Sequence, residues 1–162
     1  MISQAFGLVP RAEYHEKAEI AKSTIGHKRC SVNDLVFNKL KAHLGVCFES
    51  SYNGLVSPDY AVYRPFENVC SGYYEYLFRH PAYIRQFVIR STGIVEGLIR
   101  LYTTELFAIS VPLPPLEEQN QIVAHIKTET ATIDTAIAKA EREIELIREY
   151  KEAKISEAVM GK

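Results

Sequence analysis

The sequence has no apolar run approaching the roughly 20 residues that a membrane-spanning helix needs, so a helical membrane span is excluded. Residues 1–20 contain neither a basic n-region nor an apolar h-region, and no secretory signal is visible. Cysteine is scarce. Cys30, Cys47 and Cys70 form an odd, widely spaced set without a CxxC pair, which argues against both a disulfide scaffold and a zinc knuckle and makes a reducing cytoplasm the expected location. Enzyme signatures are equally thin: there is no GxGxxG, Walker loop, HExxH or GxSxG, and no Asn/Asp-Pro-Pro-aromatic motif. Internal repeats and low-complexity tracts are absent as well.

What is present is a chain of 162 residues with 47% hydrophobic and 24% charged residues, enough for one ordinary domain plus an appendage. The net charge of −1 conceals a division: residues 1–110 carry +2 and residues 111–162 carry −3. A slightly basic front and an acidic tail fit a nucleic-acid binder with a protein-docking tail. Composition shifts at Val111-Pro112-Leu113-Pro114-Pro115; every phenylalanine, and every tyrosine but Tyr150, lies before it. The expected fold class is α+β: a small mixed-sheet domain over 1–111, a proline hinge over 112–116, and one long helix over 117–162.

The helix follows from spacing. Pro115 suits a first helical position, and Glu117 and Glu118 favour the positive end of the helix dipole. Val123, Ile126, Thr130, Ile133, Ile137, Ala140, Ile144, Ile147, Lys151 and Lys154 then recur at alternating spacings of three and four, a heptad seam that Gly161 ends. At about 1.5 Å per residue the helix spans roughly 65 Å, too long to bury its seam on the front domain. A second helix, from another chain, is required.

In the front half, Leu35–Phe37, Val46–Phe48 and Tyr60–Tyr63 read as short strands, and 107–111 as a last strand. Ser71 is positioned to cap a helix through Tyr73–Arg79, and Pro81 to open another with Tyr83, Ile84, Phe87 and Val88 on its buried face.

Catalytic chemistry finds little support. His27 with Cys30, and His43 with Cys47, have thiol–imidazole spacing, but a buried cysteine acting as a small hydrophobe accounts for Cys47 better. Among the front domain's acidic residues, Asp34, Glu49, Asp59, Glu67, Glu75 and Glu96 are scattered, without an acid/base pair. Binding chemistry does better. The segment 37–43 presents Asn38, Lys39, Lys41 and His43 after a strand; the lysines suit phosphates, the amide and imidazole suit base edges. Arg85, Arg90 and Arg100, with Ser91 and Thr92, form a second basic-polar group around Gly93 and Gly97. Composition alone fits ordinary solvated surfaces as well.

The run from Ile109 through Val111-Pro112-Leu113-Pro114-Pro115-Leu116-Glu117-Glu118-Gln119, followed by Ile122-Val123 and a long heptad helix, resembles the junction of type I restriction–modification specificity subunits. There it joins a target recognition domain to a helical spacer. Gly7–Arg11, Val32–Asn38, Gly54–Tyr60 and Gly97–Leu101 resemble recognition-domain segments in the expected order. Two departures stand out. A full-length subunit has two recognition domains and two helices, where one of each is expected here, and the recognition domain is expected to begin late, without the opening strand-rich segment before Gly7. A half-subunit, a reshuffled cassette or a truncated product is expected.

The resemblance implies a non-catalytic adaptor that reads a short half-site in double-stranded DNA. A methyltransferase subunit bearing S-adenosylmethionine would methylate adenine, and a restriction subunit using ATP and Mg would translocate and cut; this chain would hold no cofactor or metal. The expected DNA-binding residues are Asn38, Lys39, Lys41 and His43, with Arg11, Ser91, Thr92 and Arg100. The expected interface is an antiparallel homodimer through Val123, Ile126, Ile133, Ile137, Ala140, Ile144 and Ile147, reading an interrupted palindrome. Small Ala140 favours a close midpoint crossing, and Lys151 and Lys154 would lie toward the partner's Glu117, Glu118 and Glu129. The competing expectation is an assembly or decoy protein that pairs through the helix without reading DNA.

Overall fold

A computed structural model describes residues 2–3, 7–10, 25–93 and 99–161. It shows an α+β chain in which short strands and short helices precede one long helix, and it divides into two units, 1–123 and 124–162.

Within the first unit, β1 (Ile2–Ser3) pairs with β2 (Gly7–Leu8), and β3 (Lys28–Cys30) pairs with Gly54–Val56, which is β6. A three-stranded sheet has β4 (Leu35–Asn38) at its centre, flanked by β5 (Cys47–Glu49) and β7 (Tyr60–Tyr63). Every pairing among the described residues is antiparallel, which corrects the expected mixed sheet. The connections explain this: β4 and β5 are joined by a few residues and a 3-10 turn at Ala42–Leu44, too short for the crossover that parallel strands need. Gly45 closes that turn at φ 69°, where an added Cβ would also stand 3.0 Å from Ile84 Cδ1.

Because side chains alternate along a strand, the central strand serves two cores. Leu35 and Phe37 face one with Cys47, Ala61, Tyr73, Tyr74, Phe87 and Leu101. Val36 faces the other with Cys30, Val46, Phe48 and Val56. Phe37 meets Phe87 edge-on at 5.4 Å and Phe78 at 6.3 Å, so the helices are fastened to the sheet by aromatic packing.

The helices are α1 (Ser71–Arg79), α2 (Pro81–Arg90), α3 (Thr103–Phe107) and α4 (Leu116–Met160). Pro81 opens α2 as expected, with the His80 ring accepting the Ala82 N–H. Three local expectations are corrected. Residues 107–111 are not a strand: Leu106 and Ile109 are both buried three residues apart, a helical rather than alternating spacing, and Ile109 N–H donates to Leu106 O. Ser71 does not cap α1, since its hydroxyl donates to Asn33 O. Val88 on α2 is exposed while Phe87 is fully buried.

The junction at 112–116 accepts two side-chain hydrogen bonds. Tyr74 OH donates to Pro112 O at 2.9 Å, and Gln119 Nε2 donates to Pro114 O at 2.8 Å. Val123 is corrected too: it is buried in the front unit's core, its methyls 3.6–3.7 Å from where a Cβ on Gly72 would stand, and so it is not part of a free seam.

In the second unit the remainder of α4 runs to Met160, and Gly161 follows at φ 68° as a helix-ending residue. Ile133, Ile137, Ile144 and Ile147 are each half exposed or more. No helix of the described residues is long and apolar enough to cross a membrane.

Candidate nucleic-acid interface

The segment after β4 begins as a turn built by Asn38. Its Oδ1 accepts the N–H groups of Leu40 and Lys41 at 3.0 and 3.2 Å, and the residue is buried. Asn38 therefore shapes the loop through its amide carbonyl. His43 lies in the 3-10 turn, half-buried, with Nδ1 enclosed and without a hydrogen-bond partner among the described residues. Lys41 is exposed, and Lys39 is half-buried.

Lys39 is where the two expected groups converge. Its carbonyl accepts the Leu101 N–H at 3.0 Å, and the preceding residue, Arg100, exchanges backbone hydrogen bonds with Thr92. Thr92 and Arg100, distant from Lys39 in sequence, are thus held beside the loop. Lys28 joins them from β3; its Nζ donates to Pro58 O at 3.1 Å and to Tyr60 O at 2.5 Å, bracing the turn into β7. Asp59 on that turn accepts from Arg100 Nη2 at 3.2 Å, and the Arg100 guanidinium lies 5.8 Å from the Tyr102 ring centroid.

The electrostatics follow from this assembly. Burial lowers the Lys39 pKa, and the neighbouring charges of Lys28 and Arg100 lower it further; Asp59 pulls the other way. Three cations around one carboxylate leave an excess of positive charge, the condition under which an incoming phosphate gains most.

The other expected residues have different surroundings. Ser91 Oγ donates to Phe87 O at 2.7 Å and finishes α2. Arg90 is hydrogen-bonded to Gln86 on the same helix, and Arg85 is exposed on it. Arg11 and Gly97 lie outside the described residues. Sequence reasoning missed Lys28, Asp59 and Tyr102. The basic pair Lys28-Arg29 after Gly26 was the available signal for the first; nothing local marks Asp59, which reaches the cluster only through the pairing of β7 with β4.

Alternative sites are weaker. Cys47 is fully buried and burial pushes its thiol well above the ordinary range, which removes it as a thiolate nucleophile. No group of three or more His, Cys, Asp or Glu among the described residues is placed to hold a metal ion. A cleft of about 560 Å³ lined by Leu35, Tyr63, Phe66, Phe107 and Val111 is apolar, and none of the clustered cations lines it.

Over 154 residues, 95% of the chain, the sequence is 27% identical to the type I restriction enzyme EcoKI specificity subunit of Escherichia coli strain K12. The chain is similar to a type I specificity subunit. It spans 32%, about a third, of that protein's length, and no protein-family model matches it.

Proposed function

We propose that the chain is a DNA-recognition module of the type I specificity-subunit kind, non-catalytic itself, that directs methyltransferase and restriction subunits to a target. Unit 1–123 reads a half-site in duplex DNA, and the helix beyond it pairs with a second copy of the chain. S-adenosylmethionine, ATP and Mg act on the partner subunits in this reading. The observation that carries it is the convergence of Lys28, Lys39 and Arg100 from separate segments onto one place, in a chain similar along 95% of its length to a specificity subunit.

Gel-shift titrations on duplex DNA at stepped salt concentrations, with and without a type I methyltransferase subunit, test it. Binding steeper in salt than a single contact allows is expected, and Lys39→Ala and Lys41→Ala should each lower the slope by about one unit. A second reading, an assembly protein that never reads DNA, draws on the exposed isoleucines of α4. Weak, sequence-blind binding under both conditions would decide for it.

A further inference from the structure

We infer that Arg100 reads a guanine edge in the major groove and that Asp59 is the residue positioning it for that contact. This rests on the DNA-recognition reading above and assigns a division of labour within the cluster.

The Arg100 side chain springs from a fixed point. Its backbone N–H and carbonyl are both paired with Thr92, and the next residue, Leu101, is fully buried while its N–H donates to Lys39 O. The guanidinium is then held twice, by the Asp59 carboxylate at 3.2 Å and by the Tyr102 ring beneath it. Both partners stay open to solvent, with side-chain exposures of 33% for Arg100 and 48% for Asp59. Among the described residues Arg100 makes one side-chain hydrogen bond, through Nη2, against the five donors that a guanidinium carries.

A held, half-exposed fork is suited to a planar pair of acceptors. Guanine offers such a pair, O6 and N7, and an arginine held before binding loses less side-chain freedom when it docks. The paired charges of Arg100 and Asp59 nearly cancel, so this pair attracts a phosphate weakly. Lys39, flanked by Lys28, carries the excess positive charge and takes the phosphate. Phosphate contacts set position and base contacts set sequence.

The test is selection and sequencing of a randomised duplex DNA pool by the full chain, with salt titrations on the enriched duplex. Wild type should enrich a motif containing a required G·C pair. Arg100→Lys keeps the charge and loses the fork: the salt slope should hold while preference at that pair falls on the order of tenfold. Asp59→Asn should lower the same preference, and Asp59→Glu should restore part of it. Lys39→Ala should weaken binding to every sequence and leave the motif intact. Arg100→Gln, keeping bulk without charge, should lose the preference too. An enriched motif unchanged in Arg100→Lys and Arg100→Gln would overturn this inference and leave the DNA reading standing. A motif unchanged only in Asp59→Asn would overturn the positioning role. A wild type that enriches nothing, both alone and with a type I methyltransferase subunit, would overturn the recognition reading, and this inference with it.

Discussion

Gln119 Oε1 accepts the backbone N–H of Cys70 at 2.8 Å, so a side chain from the first turn of α4 caps the start of α1, 49 residues earlier. The same amide donates from Nε2 to Asn68 O at 3.0 Å and Pro114 O at 2.8 Å, and the residue is fully buried. Gln119→Leu fits the volume but strands three backbone groups, each costing about 1–3 kcal/mol when buried without a partner. Chemical denaturation should show a loss on the order of 3 kcal/mol at unchanged m-value. A loss under about 0.5 kcal/mol, the range of ordinary surface changes, would show that water or a shift of residues 68–70 replaces the amide.

That contact marks the boundary of what the sequence makes legible. The prolines, the acidic first turn and the periodic isoleucines of α4 are local signals, and the helix runs where they place it. Gln119 reads locally as one more polar helix residue; its role exists only because 68–70 returns to it. Likewise β3 and β6 are three residues each, too short for alternation to register, and form because each supplies the other's hydrogen bonds. The turn at Asn38 is a local signal too, since an Asn leaving a strand into a polar loop is a turn former. The convergence of Lys28, Lys39, Arg100 and Asp59 depends on strand pairing across the unit, which no window of sequence contains.

Lys39 should show opposite effects on stability and binding. Burial, then Lys28 and Arg100, hold its pKa below the usual 10.5. Between that lowered value and 10.5 the unfolded chain binds more protons than the folded one, so stability rises with pH across this window and the charge is a burden below it. Lys39→Met should therefore raise the denaturation midpoint at neutral pH while weakening DNA binding. A variant that loses both stability and binding would make Lys39 a brace.

Glu75 sets a second pH dependence with the opposite slope. Burial raises its pKa above 4.5, although the Glu49 N–H at 2.7 Å and the Arg79 guanidinium at 3.1 Å favour the carboxylate. The folded chain then holds more protons than the unfolded one between 4.5 and the raised value. This contribution is complete below 4.5 and is lost as pH rises through the folded pKa. Denaturation midpoints followed from acid to neutral pH should fall in wild type and flatten in Glu75→Gln. If the slope survives the substitution, another group carries it.

The register of the proposed homodimer is readable from α4. Glu129 and Lys151 lie eleven residues to either side of Ala140, and eleven residues close three helical turns, so the three share one face. A two-fold axis at Ala140, where the small side chain allows close approach, sets Glu129 of each copy against Lys151 of the other and Ile133 against Ile147. A parallel pair would stack Glu129 on Glu129 and Lys151 on Lys151. In the proposed dimer, burial of the isoleucines, at roughly 1.5–3 kcal/mol each, would drive association, and ion pairs at about 0.2–1 kcal/mol each would choose the orientation. Ile137→Asp with Ile144→Asp should give monomers by light scattering. Glu129→Lys or Lys151→Glu alone should weaken the dimer several-fold, and the two together should restore it, since the swap re-forms both pairs. Cysteines placed at both 129 and 151 should cross-link readily, and a cysteine at 129 alone should not. Ready cross-linking at 129 alone would reverse the orientation, and a wild type that stays monomeric at micromolar concentration would remove the homodimer.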